Sequence, residues 1–222
     1  MEPDVAHAPD VHRSGGDVAQ AVVAAGVLLA AGSVADDGVS DAERRVFELA
    51  NRQPNWLEPA LWLPMQLGSL WGPFAAGAFA WWRTRSWRPA VGAVVTGVAA
   101  WQLAKAVKGY VERGRPIDEL GDIVQRWGTP TDGLGFVSGH SAVSFAIAGV
   151  LSPYLSPWGR FAMRALAAKV GFARMHVGAH LPLDIVGGAA LGHLLAMLWR
   201  LAVGTEVAGA GRMESDSVEV TR

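Results

Sequence analysis

Apolar residues along the chain gather into six runs set apart by polar stretches, at about 18–34, 60–82, 89–108, 140–155, 161–172 and 183–203. The fifth continues toward His176. A membrane-crossing helix needs about 20 mostly apolar residues, with about 17 as a lower limit. The second, third and sixth runs meet that length. The first, fourth and fifth reach it only with part of their flanks. The pattern predicts an all-α chain, a polytopic membrane bundle of about six transmembrane helices. Residues 17–204 form one membrane-embedded domain between a polar tail at 1–16 and a small, acidic, disordered tail at 205–222.

Composition strengthens this reading. Of 222 residues, 51% are hydrophobic and 18% charged, and mean hydropathy is +0.23. Soluble domains carry about 25% charged residues, and so many apolar runs are hard to enclose in a soluble fold of this length. The net charge of -1 offers no basic field for nucleic acid. Without cysteine, disulfides and thiolate metal sites are excluded. Trp81, Trp82, Trp87, Trp158 and Trp199 fall at proposed span ends, where interfacial aromatic residues sit. Trp71 and Trp101 fall inside spans. Gly188 and Gly192 make a small-residue pair suited to close helix packing. Segment 36–59 contains Val46, Leu49 and Ala50 at helical spacing. It predicts a short amphipathic helix on the outer surface, or an ordinary connecting helix.

Two loops hold cations without acids, Arg83, Arg85 and Arg88 in one and Arg160 and Arg164 in the other. Basic loops mark the cytoplasmic side. The first run ends in Ser33-Val34-Ala35, which also resembles a leader cleavage site; cleavage there leaves five spans in the same orientation. Each crossing reverses the chain. The end of run three, the start of run four and the joint of runs five and six therefore share one membrane face, the outer one.

Those three segments hold the chemistry. They are 108–116 (KGYVERGRP), 137–141 (VSGHS) and 173–184 (ARMHVGAHLPLD). Lys108, Arg115 and Arg174 are three cations suited to an anion with several oxygens, phosphate above all. Ser138 and Gly139 precede a helix whose free N–H groups also favour an anion. Ser138 alone is an ordinary helix cap. His180 and Asp184 stand four apart, so the carboxylate can hold one ring nitrogen and leave the other free to attack. His140 is positioned to protonate a departing alkoxide. A metal site is the rival reading. His176, His180 and Asp184 are spaced to point one way, but the nearby cations oppose a divalent ion. His7, His12 and His193 read as structural, and Lys105, Arg113 and Arg126 as solvated or headgroup-facing charges.

The segments resemble the signature of the type 2 phosphatidic acid phosphatase superfamily, the lipid phosphate phosphatases: K-x6-RP, PSGH and SR-x5-H-x3-D. The first is matched in full by Lys108 and Arg115-Pro116. Val137 replaces the leading proline of the second, and Ala173 the leading serine of the third. The resemblance implies His180 as nucleophile through a phosphohistidine, Asp184 orienting it and His140 protonating the leaving group. It implies that Lys108, Arg115, Arg174, Ser138 and Gly139 bind the phosphoryl oxygens, with no metal and no cofactor. Val137 and Ala173 remove none of these groups.

The expected activity is hydrolysis of a lipid phosphate or pyrophosphate at the outer face of the cytoplasmic membrane. The substrate is a polyprenyl phosphate or pyrophosphate, phosphatidic acid or phosphatidylglycerol phosphate, entering sideways from the bilayer. The motif contacts only the phosphoryl group and does not separate these lipids. A phosphotransferase using the same pocket, and a silent membrane protein that binds a lipid headgroup, are the alternatives. A transporter fits less well, because the charges gather on one side.

Overall fold

Serines and prolines set where the helices begin. Ser14 accepts the Gly16 N–H (3.1 Å) and opens α1, Gly15–Asp36. Ser40 does the same for α2, Asp41–Asn51, through the Glu43 N–H (3.2 Å). Helices α3, Glu58–Met65, and α4, Gly72–Thr84, follow. Ser86 caps α5, Trp87–Lys108. Proline stands in the first turn of α6, Pro116–Leu120, of α8, Pro157–His176, and of α9, Pro182–Val203, where its missing N–H costs nothing. Ser138 precedes α7, Gly139–Leu151. Residues 11–130 and 132–206 are described by this computed structural model.

By length and composition α1, α5 and α9 qualify to cross a membrane, so the chain is a helical membrane protein. The first run is thus long enough within its own helix. The second is not the single span expected of it. It breaks into α3, a 3₁₀ turn over Gln66–Gly68, and α4. Pro64 and the turn residues 66–72 interrupt the ladder, and a Cβ at Gly72 would lie 2.0 Å from the Leu67 carbonyl oxygen. Trp71 sits at this break and is exposed, which removes its conflict with a buried mid-span position. Helix α7 has 13 residues, about 20 Å of rise, and α8 carries Arg160, Arg164, Lys169 and Arg174.

Helix α7 is the centre of the bundle, packed between α5 and α9. Ala142, Val143, Ala146 and Ile147 are wholly buried. The Gly188 and Gly192 pair brings α9 against it. A Cβ at Gly188 would lie 2.4 Å from the Ser138 carbonyl oxygen, and one at Gly192 would lie 2.0 Å from that of Ala142. Small residues thus let two backbones touch and register the start of α7 against α9.

Helix α2 turns a different face inward from the one its sequence indicates. Phe47 is 1% exposed, whereas Val46 is 49% and Leu49 71% exposed. Ala50, which the sequence also put on the apolar face, is buried with Glu43 and Asn51. Asn51 explains the choice. Its Nδ2 donates to the carbonyls of Val124 (2.8 Å), Met175 (3.3 Å) and His176 (3.1 Å), and its Oδ1 accepts the Val124 N–H (2.8 Å). It closes the C-terminal end of α8 and ties it to the loop after α6. Asn51→Ala takes this partner from the Val124 N–H and carbonyl, while the Met175 and His176 carbonyls keep the Gly178 N–H and Arg126, a cost of about 1–3 kcal/mol. Thermal unfolding in detergent is expected to show it as a lowered Tm.

The far end of the bundle is tied separately. Strand β1, Val11–His12, pairs antiparallel with β2, Thr205–Glu206, so the described parts of both expected tails form a ribbon. The remainder of those tails, 1–10 with His7 and 207–222, lies outside the described residues. Arg88 pairs with Glu206, and Arg200 with Asp17 at 2.6 Å.

Candidate active site

Three chain segments meet at one end of the bundle. Lys108 closes α5, and its Nζ donates to the carbonyls of Leu134 (2.6 Å) and Gly135 (2.8 Å), which lead into α7. Arg115 reaches the loop before α9. Its Nη1 donates to the Ala179 carbonyl (3.0 Å) and its Nε to that of Asp132 (2.7 Å). The Ser138 N–H donates to the Asp184 carbonyl (2.9 Å), which joins the start of α7 to the start of α9. The hydroxyl of Ser138 accepts the Ser141 N–H at 3.5 Å, a long cap that leaves the Gly139 N–H heading a free helix end.

Arg174 is in the last turn of α8 and is 3% exposed. Its Nη1 donates to the Gly128 carbonyl (3.3 Å), and its Nε is buried without a partner. The charge of Arg115 acts on Arg174, and that of Arg174 acts on Lys108 and on His140. His140 begins α7 with its ring 5.9 Å from that of Trp101. The break between α3 and α4 helps place it: a Cβ at Gly68 would lie 2.6 Å from the His140 carbonyl oxygen.

His180 lies in the joint between α8 and α9, 4% exposed. Its Nδ1 is 3.4 Å from Asp184 Oδ2, within ion-pair reach but without a formed hydrogen bond, and Nε2 is the ring nitrogen farther from the carboxylate. Burial pushes His180 well below the ordinary imidazole value, and the charges of Arg174, Lys108 and Arg115 push the same way. The ring is therefore neutral at pH 7, the form whose lone pair can attack. Asp184 Oδ2 accepts the Leu181 N–H (2.8 Å), which fixes the carboxylate.

The structure thus brings together Lys108, Arg115, Ser138, Gly139, His140, Arg174, His180 and Asp184. It does not bring His176 to them. Its Nδ1 faces the Ala50 carbonyl at 3.2 Å and its ring stacks on Phe172. The chain bends after α8, so spacing by fours does not continue from His176 through His180. Among the described residues no three His, Cys, Asp or Glu side chains group as metal ligands. His193 instead lines an apolar cavity of about 640 Å³ between α1, α7, α8 and α9, and His12 lies in β1 at the opposite end.

Of two arginines read as solvated, Arg113 is buried and Arg126, though partly exposed, is tied down by hydrogen bonds. The Arg113 side chain is 2% exposed. Nη1 and Nη2 donate to Glu43 Oε1 (3.0 Å) and Oε2 (2.5 Å), and Nη1 is 3.4 Å from Asp184 Oδ1. Arg126 donates to the carbonyls of Asn51 (2.8 Å), Gln53 (2.8 Å) and His176 and to Asn55 Oδ1 (2.9 Å). The partner of Arg113 is 70 residues away in sequence, and no local spacing indicates it.

Known proteins share this arrangement of helices. The chain resembles the crystal structure of a transmembrane PAP2-type phosphatidylglycerolphosphate phosphatase from Bacillus subtilis. The TM-score is 0.64 at 21% identity, over 82% of this chain and 94% of that one. It also resembles LpxE from Aquifex aeolicus, with a TM-score of 0.61 at 25% identity, over 70% of this chain and 92% of that one. No curated protein matches it significantly. Residues 89–208, which include all three site segments, match the PAP2 superfamily, and the chain belongs to that family.

Proposed function

We propose that the protein is a lipid phosphatase of the cytoplasmic membrane that forms a phosphohistidine on His180. The observation that carries this reading is the meeting of three cations, one helix start and two imidazoles at one end of the bundle. In the first step His180 Nε2 bonds to phosphorus while the bond to the lipid oxygen breaks. His140 gives that oxygen its proton. In the second, water attacks phosphorus, the N–P bond breaks and His140 takes the water proton. Lys108, Arg115, Arg174, Ser138 and the Gly139 N–H hold the phosphoryl oxygens, where charge builds in each transition state. Asp184 keeps the His180 Nδ1 proton in place, so Nε2 carries the lone pair.

In this reading the chain crosses the bilayer six times, with α4, α7 and α8 completing the set begun by α1, α5 and α9. The site faces outward, because Arg83, Arg85, Arg88, Arg160 and Arg164 belong to the opposite end of the bundle and mark it as cytoplasmic. The lipid tail stays among the helices while the phosphate enters the cradle. Candidate substrates are polyprenyl phosphates and pyrophosphates, phosphatidic acid and phosphatidylglycerol phosphate.

Phosphate release from purified protein over these lipids tests the proposal. Release from at least one lipid is expected, and none from His180→Ala. Equal release by both proteins would remove it. Turnover is expected to be unchanged by a strong chelator, since the cradle is cationic. Inhibition that added divalent metal reverses would contradict this mechanism.

A further inference from the structure

Helix α2 reaches the site through one buried ion pair that the phosphoryl-transfer steps do not use. Arg113 lies between two carboxylates. Its fork takes Glu43 with both Nη atoms, and Nη1 also faces Asp184 at 3.4 Å. The side chains of Arg113, Glu43 and Asp184 are 2%, 4% and 0% exposed. Both carboxylates also grip the start of α9. Glu43 Oε1 accepts the Leu183 N–H (2.9 Å), and Asp184 Oδ2 accepts that of Leu181 (2.8 Å). His180 meets Asp184 through that same Oδ2.

We propose that Arg113 and Glu43 are positioning residues that hold Asp184, and through it the His180 ring, in working geometry. This rests on the reading of His180 as nucleophile. Asp184 is faced by Arg113 and His180 directly, with Glu43 behind Arg113 and the charges of Lys108 and Arg115 within range. Arg113 is the cation whose fork is committed to carboxylates. Lys108, Arg115 and Arg174 give their hydrogen bonds to backbone carbonyls or to sulfur. Arg113 therefore acts on the reaction through Asp184 and leaves the phosphate cradle to the other three. Lysine cannot replace it, since a point charge does not span two carboxylates as a planar fork does.

The double variant Glu43→Gln/Arg113→Met separates positioning from scaffold. It leaves no unpaired buried charge at this pair, and Gln keeps an acceptor for the Leu183 N–H. Replacing a buried ion pair together is often neutral for stability. Asp184 loses Arg113 but keeps the Leu181 N–H and the nearby charges of Lys108 and Arg115, so the variant is expected to fold with a lowered Tm. Its kcat is expected to fall roughly 10–100-fold, as when groups behind an active centre are removed, with KM within about twofold. In an Asp184→Asn background the same pair of changes is expected to lower kcat no further, because the two act as one unit. Arg113→Lys carries the kcat and KM readout if the double variant does not fold.

Unchanged kcat in a variant that folds overturns the inference, as does a raised KM at unchanged kcat or a loss that adds to that of Asp184→Asn. His180→Ala keeps the two proposals apart. If it still abolishes turnover while the double variant is fully active, only the positioning role fails. If it retains turnover, the nucleophile reading itself fails.

Discussion

His180→Ala is expected to lower phosphate release by roughly ten-thousandfold or more, the scale seen when a nucleophile is removed. The variant is expected to keep the wild-type melting profile. His180 is a loop residue whose ring contacts Asp184, and Leu181 and Glu43 hold the start of α9 without it. The phosphate cradle is also intact, so affinity for a product-like phosphate is expected to persist. Turnover and binding therefore part company in this variant. Circular dichroism in detergent, beside turnover and phosphate binding, checks all three.

Gly192→Leu is expected to have the largest effect on the fold. The first side-chain carbon would meet the Ala142 carbonyl oxygen at 2.0 Å, and backbone cannot move aside as a side chain can. The helices must separate where α9 packs on α7. Overpacking costs about 1–3 kcal/mol and more where nothing can yield; about 3 kcal/mol corresponds to a Tm lowered by about 6–12 °C. Activity is expected to fall as well. One turn toward the site, Gly188 lies against Ser138, and the Ser138 N–H is bonded to Asp184. Moving α7 from α9 separates His140 from His180. A variant that melts and turns over like wild type would show that this contact does not set the site.

The candidate site is the part of the molecule most legible in its sequence. Its groups come in three short segments, and the fold gathers those segments at one end of the bundle. Gly188 and Gly192 were legible for a similar reason, since small residues four apart line one side of a helix. What the sequence conceals is decided by partners far along the chain. Helix α2 offers Val46 and Leu49 as apolar candidates, yet Asn51 and Glu43 go inward because α8 and Arg113 supply their hydrogen bonds. A charge such as Arg113 looks solvated until its carboxylate is found. The second run misleads in another way. Averaged hydropathy passes over Pro64, Gly68 and Gly72, although proline and glycine are local signals of a break. That break places Gly68 beside His140, so an interruption in a hydrophobic run is part of how the site is built.

The most direct test of the account is to trap the reaction midway. Wild-type protein given a phosphate-labelled lipid substrate is quenched in alkali, which preserves phosphohistidine, and the labelled peptide is located by mass spectrometry. Label is expected on His180 and none on His180→Ala. Label on another residue, or rapid turnover by a protein that never carries label, would contradict it.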